Sequence, residues 1–318
     1  MDFHSAYKGA FIRLSKSEAA KGMLMGLPAV RRAKERFIAG DTLGDGVRVV
    51  ADLNNYMRDG NAYPISGVLD FVGESVTSRE EAASAVQTYC GILSAIKANS
   101  LDSRIAVKLS QLGLDIGLDF CRENIGIVAD HAQRYGICVE IDAEEDAKAR
   151  RTLDIYKDLH RKGRDVAIYL QSARKGSIDD AKELGEMGAK VRLVKIAYRE
   201  SPDVAWQCKT DIDDSYRFLM ATLSTGTVGN VSKLIVATHD DIMIKEMQRL
   251  ISYGLADNEK IEFDMLLGIR SDRIRELAGE GHHTGVYVPY GKDWYPYFCR
   301  RVGERPENLV FVARSFFS

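Results

Sequence analysis

Charged side chains recur inside short apolar runs of this sequence. The charged or ionisable residues of these runs that could take part in binding or catalysis are Asp70, Glu74, Lys108, Asp142, Arg192, Lys195, His239 and Asp264. A charge within a buried strand is unfavourable unless it is paired or used. Any one of these residues could form a structural ion pair, but their recurrence on most of the apolar runs favours one shared polar site.

A second group of charged residues lies near the carboxyl end, in the run GVYVPYGKDWYPYFCRRVGERPEN at 285–308. Asp293 is a candidate helix cap, and Pro296 fits the first turn of the helix that follows. Arg300 and Glu304 are i, i+4 partners on that helix. Arg300 and Arg301 together make a fork suited to a carboxylate or phosphate, and the alternative is a basic surface stripe.

The run VRLVKIAYRE at 191–200 separates two cations by strand alternation. Arg192 shares one side with Val194, whereas Lys195 faces the other, so a regular strand cannot aim both cations into the same space. One interpretation is a cation held against a cofactor. Another is a lysine that forms a Schiff base with a carbonyl substrate.

Metal ligation is not predicted. The five cysteines are scattered without a CxxC pair, and the adjacent His282 and His283 lack a third ligand at metal spacing. We expect these two histidines in a solvated loop. His239, alone at the end of an apolar run, would by itself more often be a hydrogen-bonded structural residue.

The elements that must position these residues alternate along the chain. Eight apolar runs centre near residues 70, 108, 140, 168, 194, 236, 264 and 288, with amphipathic segments between them. This pattern predicts an α/β fold in which a (β/α)8 TIM-like barrel spans 64–318, and a doubly wound open sheet is the rival. Residues 1–63 are expected to form a helical arm packed on the barrel.

Composition narrows the function. A formal net charge of -2 over 318 residues gives no electrostatic reason to expect nucleic acid or an anionic membrane as a partner. No run approaches the length of a membrane span, and the first residues lack the apolar core of a signal peptide. We therefore expect a cytoplasmic protein, and the sequence does not predict its oligomeric state.

The motifs in this order resemble the proline dehydrogenase family of FAD-dependent barrel enzymes. They are LDFVGE (69–74), KLSQLGLD (108–115), LQS (170–172), RLVKIAYRE (192–200), ATHD (237–240) and YVPYGKDWYPYFCRRVGERPEN (287–308). The resemblance runs from residue 36 to residue 309. It implies oxidation of L-proline to Δ1-pyrroline-5-carboxylate, by transfer of a hydride from C5 to flavin N5, as the first step of proline catabolism.

The resemblance also implies roles for the substrate-binding residues. Arg300 and Arg301 would grip the proline carboxylate, Glu304 would orient them, and Lys108 would complete the cationic cradle. Asp142 would hydrogen-bond within that network, with a catalytic role. The residues expected against or near the substrate ring are Tyr198, Leu266, Tyr287 and Tyr297.

On the cofactor side, the resemblance places Arg192 beside the flavin N5 region, with a catalytic role, because a fixed cation stabilises the reduced flavin. The residues that would hold the isoalloxazine and the ribityl-phosphate arm are Gln171, Lys195, Ile196, Ala197, Thr238 and His239. In the family, membrane quinone reoxidises the flavin, which implies a transient membrane contact at the inner face. A quinone or another electron acceptor is therefore an expected partner.

Three positions depart from the family pattern. Ile196 stands where glycine is usual, Asp264 stands where an amide is common in an EFQ motif, and Ala173 replaces a frequent aromatic residue. These changes bear on flavin affinity, flavin potential and substrate identity. The alternatives are a flavin enzyme for a related cyclic imino acid, a flavin-free Schiff-base enzyme using Lys195, and a non-catalytic barrel that binds a carboxylated ligand through Arg300 and Arg301.

Overall fold

Eight parallel strands close into a barrel in the computed structural model, which describes residues 28–58, 61–73, 75–198, 200–227 and 229–295. The strands are β1 (Ser66–Phe71), β2 (Ser103–Val107), β3 (Val139–Ile141), β4 (Val166–Gln171), β5 (Lys190–Val194), β6 (Lys233–Ala237), β7 (Ile261–Leu266) and β8 (His283–Tyr290). Each strand pairs in parallel with the next one along the chain, and β8 closes on β1. The predicted barrel is confirmed, and its strands coincide with the eight apolar runs.

Helices precede the barrel and follow most of its strands. They are α1 (Pro28–Phe37), α2 (Leu43–Asn54), α3 (Arg79–Ala98), α4 (Leu118–Tyr135), α5 (Asp146–Arg161), α6 (Ser177–Glu186), α7 (Lys209–Ser224), α8 (Asp241–Ser252) and α9 (Ser271–Gly279). Within the described ranges, no helix is long and apolar enough to cross a membrane.

Helix α2 lies against both β1 and β8, at the seam where the barrel closes. A capping box starts it: Thr42 accepts a hydrogen bond from the Asp45 amide, and the Asp45 carboxylate accepts one from the Thr42 amide. Val50 packs so closely on Gly67 that a Cβ there would lie 2.6 Å from a Val50 methyl. The assignment of 1–63 to a separate arm stays a prediction.

Strand alternation divides the side chains of the barrel into two environments. Outward-facing aliphatic residues such as Leu69, Ile105, Val139 and Leu193 belong to the large apolar core beneath the helices. Inward-facing residues are more polar, and they include Asp70, Lys108, Asp142, Arg192 and Asp264 among the sequence candidates. The sheet therefore concentrates unlike charges in the narrow interior of the barrel.

The prediction of a solvated loop for His282 and His283 is only partly right: His282 lies before β8 but is half-buried, and His283 is exposed but belongs to the strand. His283 is the first residue of β8, and the His282 ring hydrogen-bonds Asn258 and packs edge-on against Phe263, at 5.1 Å between ring centroids. The sequence does not show that a strand begins at His283, because two adjacent polar residues are typical of a loop. The apolar residues that follow form the pairing of β8 with β1 and β7. The described residues contain no group of histidine, cysteine and acidic side chains that could hold a metal ion.

Candidate active site

A buried ammonium group lies where the carboxyl ends of β1, β2 and β3 meet. Lys108, the residue after β2, donates to Asp70 at 2.8 Å and lies 3.0 Å from Asp142. The Tyr287 hydroxyl on β8 donates to the same Asp142 carboxylate, at 3.3 Å. Burial opposes the charge of Lys108, but the two carboxylates outweigh it and raise the pKa of Lys108 well above its usual value. Lys108 is therefore a fixed cation.

Deeper in the barrel, five charged residues form what we call the barrel ion cluster: Arg104, Glu140, Arg192, Glu262 and Asp264. Arg104 lies 2.8 Å from Glu140, 2.5 Å from Glu262 and 3.2 Å from Asp264. Arg192 pairs with Asp264 and lies 3.5 Å from Glu140. The three carboxylate side chains are at most 3% exposed, so these ion pairs are shielded from water.

Within the cluster, the pKa values of the two acids of β7, Glu262 and Asp264, shift in opposite directions. Burial raises the pKa of Asp264 to about 7, against the opposing charges of Arg192 and Arg104, and the neighbouring Glu262 adds to the rise. Burial also acts to raise the pKa of Glu262, but Arg104 and Lys233 outweigh it and lower that pKa. One carboxyl group of the cluster therefore titrates near neutral pH.

Two aromatic rings lie against Arg192. Its guanidinium carbon is 5.1 Å from the centre of the Tyr169 ring and 5.5 Å from that of Tyr287. Both distances are in the range of a cation–π contact. Tyr287 also packs with Val68 and Ala106 in a small apolar cluster inside the barrel. Arg192 thus contacts the acids of the barrel ion cluster and two aromatic rings.

Lys195 takes a different environment, as the alternation along β5 predicts. Its ammonium donates to Asp213 of α7 and to Asp240 at 2.6 Å. Asp240 also caps α8, because its side chain accepts from the Ile242 amide. A Schiff base at Lys195 would have to break both ion pairs, and no contact in the described residues favours that alternative.

The loop after β5 is held by the side chain of Gln171. Its Oε1 accepts from the amides of Ala197 (2.9 Å) and Tyr198 (3.2 Å), and its Nε2 donates to the carbonyl of Glu144. Ile196 and Tyr198 are half-buried in this loop. A cleft of about 60 Å³, lined by Tyr198, Glu144 and Lys108 among others, opens beside it.

At the end of β6, Thr238 and His239 organise the neighbouring backbone. Thr238 Oγ1 accepts from the Asp240 amide, and Nε2 of His239 accepts from the amide of Leu266 at 3.0 Å. The backbone carbonyl of His239 accepts from Arg270. These contacts fix Leu266 beside Tyr287 in the apolar cluster.

By their direct contacts, the candidates from the sequence separate into groups, and the shared polar site stays a prediction. Asp70, Lys108 and Asp142 are together, Arg192 and Asp264 lie in the barrel ion cluster, and Lys195 pairs outside it. Residues two apart on a strand share a face, so alternation decides which charges point into the barrel. The position of a residue along its strand decides how deep in the barrel its charge lies. Glu74, Tyr297, Arg300, Arg301 and Glu304 lie outside the described residues.

Sequence reasoning missed the other members of the barrel ion cluster. Arg104 is four residues before Lys108, and Glu140 and Glu262 are each two residues before a candidate acid. A spacing of two or four along a strand puts side chains on the same face. That period was the available signal.

Gly285 leaves the space that the acids of β7 occupy. It pairs with Asp264 in register, and a Cβ on it would overlap Oδ1 of Asp264 and lie 2.8 Å from Oε1 of Glu262. We expect Gly285→Ala to lower the free energy of unfolding by about 2 kcal/mol, the order of an overpacked core. Denaturant titration measures this effect, with Gly91→Ala as control.

Gly91 lies on an exposed face of α3, and a Cβ there meets nothing within 4 Å. That control should gain up to about 1 kcal/mol, because alanine is favoured over glycine in a helix. Equal stability of the wild type and Gly285→Ala would contradict the tight fit around Asp264.

A closed (β/α)8 barrel with fixed charges gathered at the carboxyl ends of its strands defines a barrel enzyme, since barrel active sites lie at that end. The family model described as proline dehydrogenase matches residues 54–314. The chain is 34% identical over 305 residues to proline dehydrogenase 2 of Bacillus subtilis, covering 96% of each chain. It is 33% identical over 288 residues to the proline dehydrogenase of Deinococcus radiodurans, covering 88% of each. The chain belongs to the proline dehydrogenase family.

Solved structures confirm the fold. Proline utilization A from Bdellovibrio bacteriovorus, inactivated by N-propargylglycine, matches with a TM-score of 0.76 at 19% identity. The match covers 86% of this chain and 32% of that one, so the chain spans about a third of this larger neighbour. Proline utilization A from Corynebacterium freiburgense matches with a TM-score of 0.69 at 15% identity, over 99% of this chain and 35% of that one.

Proposed function

We propose that this barrel oxidises L-proline to Δ1-pyrroline-5-carboxylate and passes the hydride from C5 to N5 of a bound FAD. Membership of the proline dehydrogenase family makes it an oxidoreductase acting on a CH-NH group. The observation that carries the proposal is the buried Lys108, fixed between Asp70 and Asp142 at the carboxyl end of the barrel. A fixed cation at this end suits an anionic substrate group.

On the substrate side, Lys108 would attract the proline carboxylate together with Arg300 and Arg301. Asp142 holds Lys108 and accepts from Tyr287, so it fixes two substrate-facing groups at once. Leu266, held by His239, would pack on the proline ring beside Tyr287. Positioning of this kind is where much of the rate advantage of such a site originates.

On the cofactor side, the candidate residues come from three consecutive strand ends, β4, β5 and β6. Their donors and acceptors suit a flavin, and two buried polar atoms on this side, Arg192 Nε and the Tyr169 hydroxyl, have no hydrogen-bond partner within the described part of the chain. Gln171, Lys195, Ile196, Ala197, Thr238 and His239 would hold the flavin, with Arg192 beside its reactive edge. When bound, the flavin supplies the hydride acceptor.

The proton balance is left to solvent in this proposal. The proline amine must be neutral so that its lone pair can assist as the hydride leaves, and we assign no general base to it. Two electrons then have to leave the flavin, so the cycle needs an electron acceptor, and a quinone is our proposal. A related cyclic imino acid is the second candidate substrate, because Ile196 and Asp264 depart from the family pattern beside this site.

The visible spectrum tests the proposal directly. We expect purified protein loaded with FAD to show an oxidised flavin band that bleaches when L-proline is added without oxygen. A flavin band that persists with proline but bleaches with another cyclic imino acid would support the second candidate. Failure to retain FAD would remove this chain from flavin chemistry.

A further inference from the structure

Asp264 is the direct counter-ion of Arg192 inside the barrel. Its Oδ2 accepts from Nη1 of Arg192 and, at 3.2 Å, from Nη2 of Arg104. The side chain is fully buried, and Gly285 opposite it leaves the space it occupies. An amide at this position, as in the EFQ pattern, would carry no charge. In this chain the residue is a carboxylic acid, and it contacts Arg192, the cation that the proposed function places beside the flavin.

The two acids of β7, Asp264 and Glu262, also lie close together. Oδ1 of Asp264 and Oε1 of Glu262 would both lie within 3 Å of a Cβ on Gly285, so the two carboxyl groups share one narrow space. Glu262 is the better anion, because it pairs with Arg104 and with Lys233, which reaches it from the amino-terminal end of β6. Burial raises the pKa of Asp264 to about 7, so Asp264 is the acid that carries a proton below that pH. Loss of that proton would place a full negative charge against Arg192.

We propose that Asp264 is a positioning residue that holds Arg192 against Tyr169 and Tyr287 and offsets the positive charge that Arg192 presents to the flavin. This inference rests on the proposed function, because it requires a flavin beside Arg192. In that reaction the C5–H bond of proline breaks, proline loses two electrons, and flavin N5 gains the hydride. A nearby cation favours the negative charge that develops on the flavin. An ionised Asp264 counters that cation, so it lowers the flavin reduction potential.

The effect of Asp264 on the flavin reduction potential should depend on pH, because opposing interactions leave the pKa of Asp264 near neutral pH. Burial raises its pKa to about 7, Arg192 and Arg104 oppose the rise, and Glu262 and Glu140 add to it. Below that pH a protonated Asp264 leaves the charge of Arg192 less compensated. As pH rises, the carboxylate forms and the flavin potential falls more steeply than it would without Asp264.

The test is the midpoint potential of FAD-loaded protein from about pH 6 to pH 9, for wild type, Asp264→Asn and Asp264→Gln. Both variants keep a polar group and remove the ionisable one. We expect the reduced flavin to be favoured at least tenfold in the variants at high pH, about 30 mV for a two-electron couple. The difference should shrink toward pH 6, where Asp264 is protonated.

Glu262→Gln is the matched control, because Glu262 lies in the same cluster and pairs with Arg104 and Lys233. Its charge helps to raise the pKa of Asp264, so its loss favours the ionised Asp264. The potential of Glu262→Gln should therefore stay unchanged or fall. An increase equal to that of Asp264→Asn would show a general loss of negative charge and would overturn the role assigned to Asp264.

A second readout needs no flavin. The pKa of Asp264 in the folded chain lies above its ordinary 3.8, so its stabilising contribution is present below about pH 4 and is lost as pH rises through about 7. Asp264→Asn should therefore gain stability relative to wild type across that window, and the gain should level off at higher pH. A constant difference across the window would show that Asp264 does not titrate there and would contradict the proposal.

The outcomes separate this inference from the proposed function. If the protein retains no FAD, or proline does not bleach it, the proposed function fails and the inference fails with it. If proline bleaches the flavin while wild type and both Asp264 variants have equal potentials at every pH, only the inference fails. Should neither variant fold, a wild-type potential that varies with pH no more steeply than that of free FAD overturns it.

Discussion

Lys108→Met should reduce kcat/KM for proline by at least about 100-fold, the order seen when a fixed electrostatic donor is removed. Lys108 is the cation that holds Asp70 and Asp142 at the carboxyl end of the barrel. Its loss removes a cation that would bind the substrate carboxylate. It also leaves the buried Asp70 and Asp142 without the cation that pairs with both of them. Steady-state kinetics with proline and the unfolding free energy measure the two consequences separately.

The stability of Lys108→Met should also fall, by about 3 kcal/mol, because breaking a buried ion pair leaves an uncompensated charge. Adding Asp70→Asn removes one of the unpaired acids and should recover part of that stability without restoring activity. Lys190→Met is the control, since Lys190 pairs with Asp165 at 2.6 Å at the other end of the barrel. A Lys108→Met enzyme with wild-type kinetics would remove this lysine from substrate binding.

Arg300→Met and Arg301→Met should each raise the KM for proline by at least about 30-fold, which corresponds to about 2 kcal/mol of a charge-assisted contact. Two adjacent guanidinium groups can hold one carboxylate through parallel hydrogen bonds. Arg301→Lys keeps the charge but loses the planar fork, so we expect an intermediate KM. Thermal unfolding should change little, because the predicted role is in the bound state.

The control for these variants is Arg249→Met, a change at an exposed arginine of α8 that the sequence does not assign to the clamp. Its kinetics should match those of the wild type. If Arg300→Met and Arg301→Met behave like this control, the two arginines form a surface stripe, which is the alternative interpretation of their spacing.

Local patterns in the sequence were sufficient for the architecture. A strand buried on one face and a helix buried on one side leave different hydrophobic periods, and these periods marked the eight strands and most of the helices. The separation of Arg192 and Lys195 also followed from a local rule, because successive side chains on a strand point in opposite directions. The structure confirms it: Arg192 pairs with Asp264, and Lys195 pairs with Asp213 and Asp240.

The sequence by itself thus determined the barrel, its order of strands and the opposite faces on which Arg192 and Lys195 lie. Only the tertiary structure decided which charges meet. Arg192 and Asp264 are 72 positions apart, and Lys108 and Asp70 are 38 apart, so closure of the barrel has to bring each pair together. Register between strands sets the depth of each side chain, and depth divides the charges into the Lys108 group and the barrel ion cluster. Pairing across a closed sheet is a long-range property, and no local period encodes it.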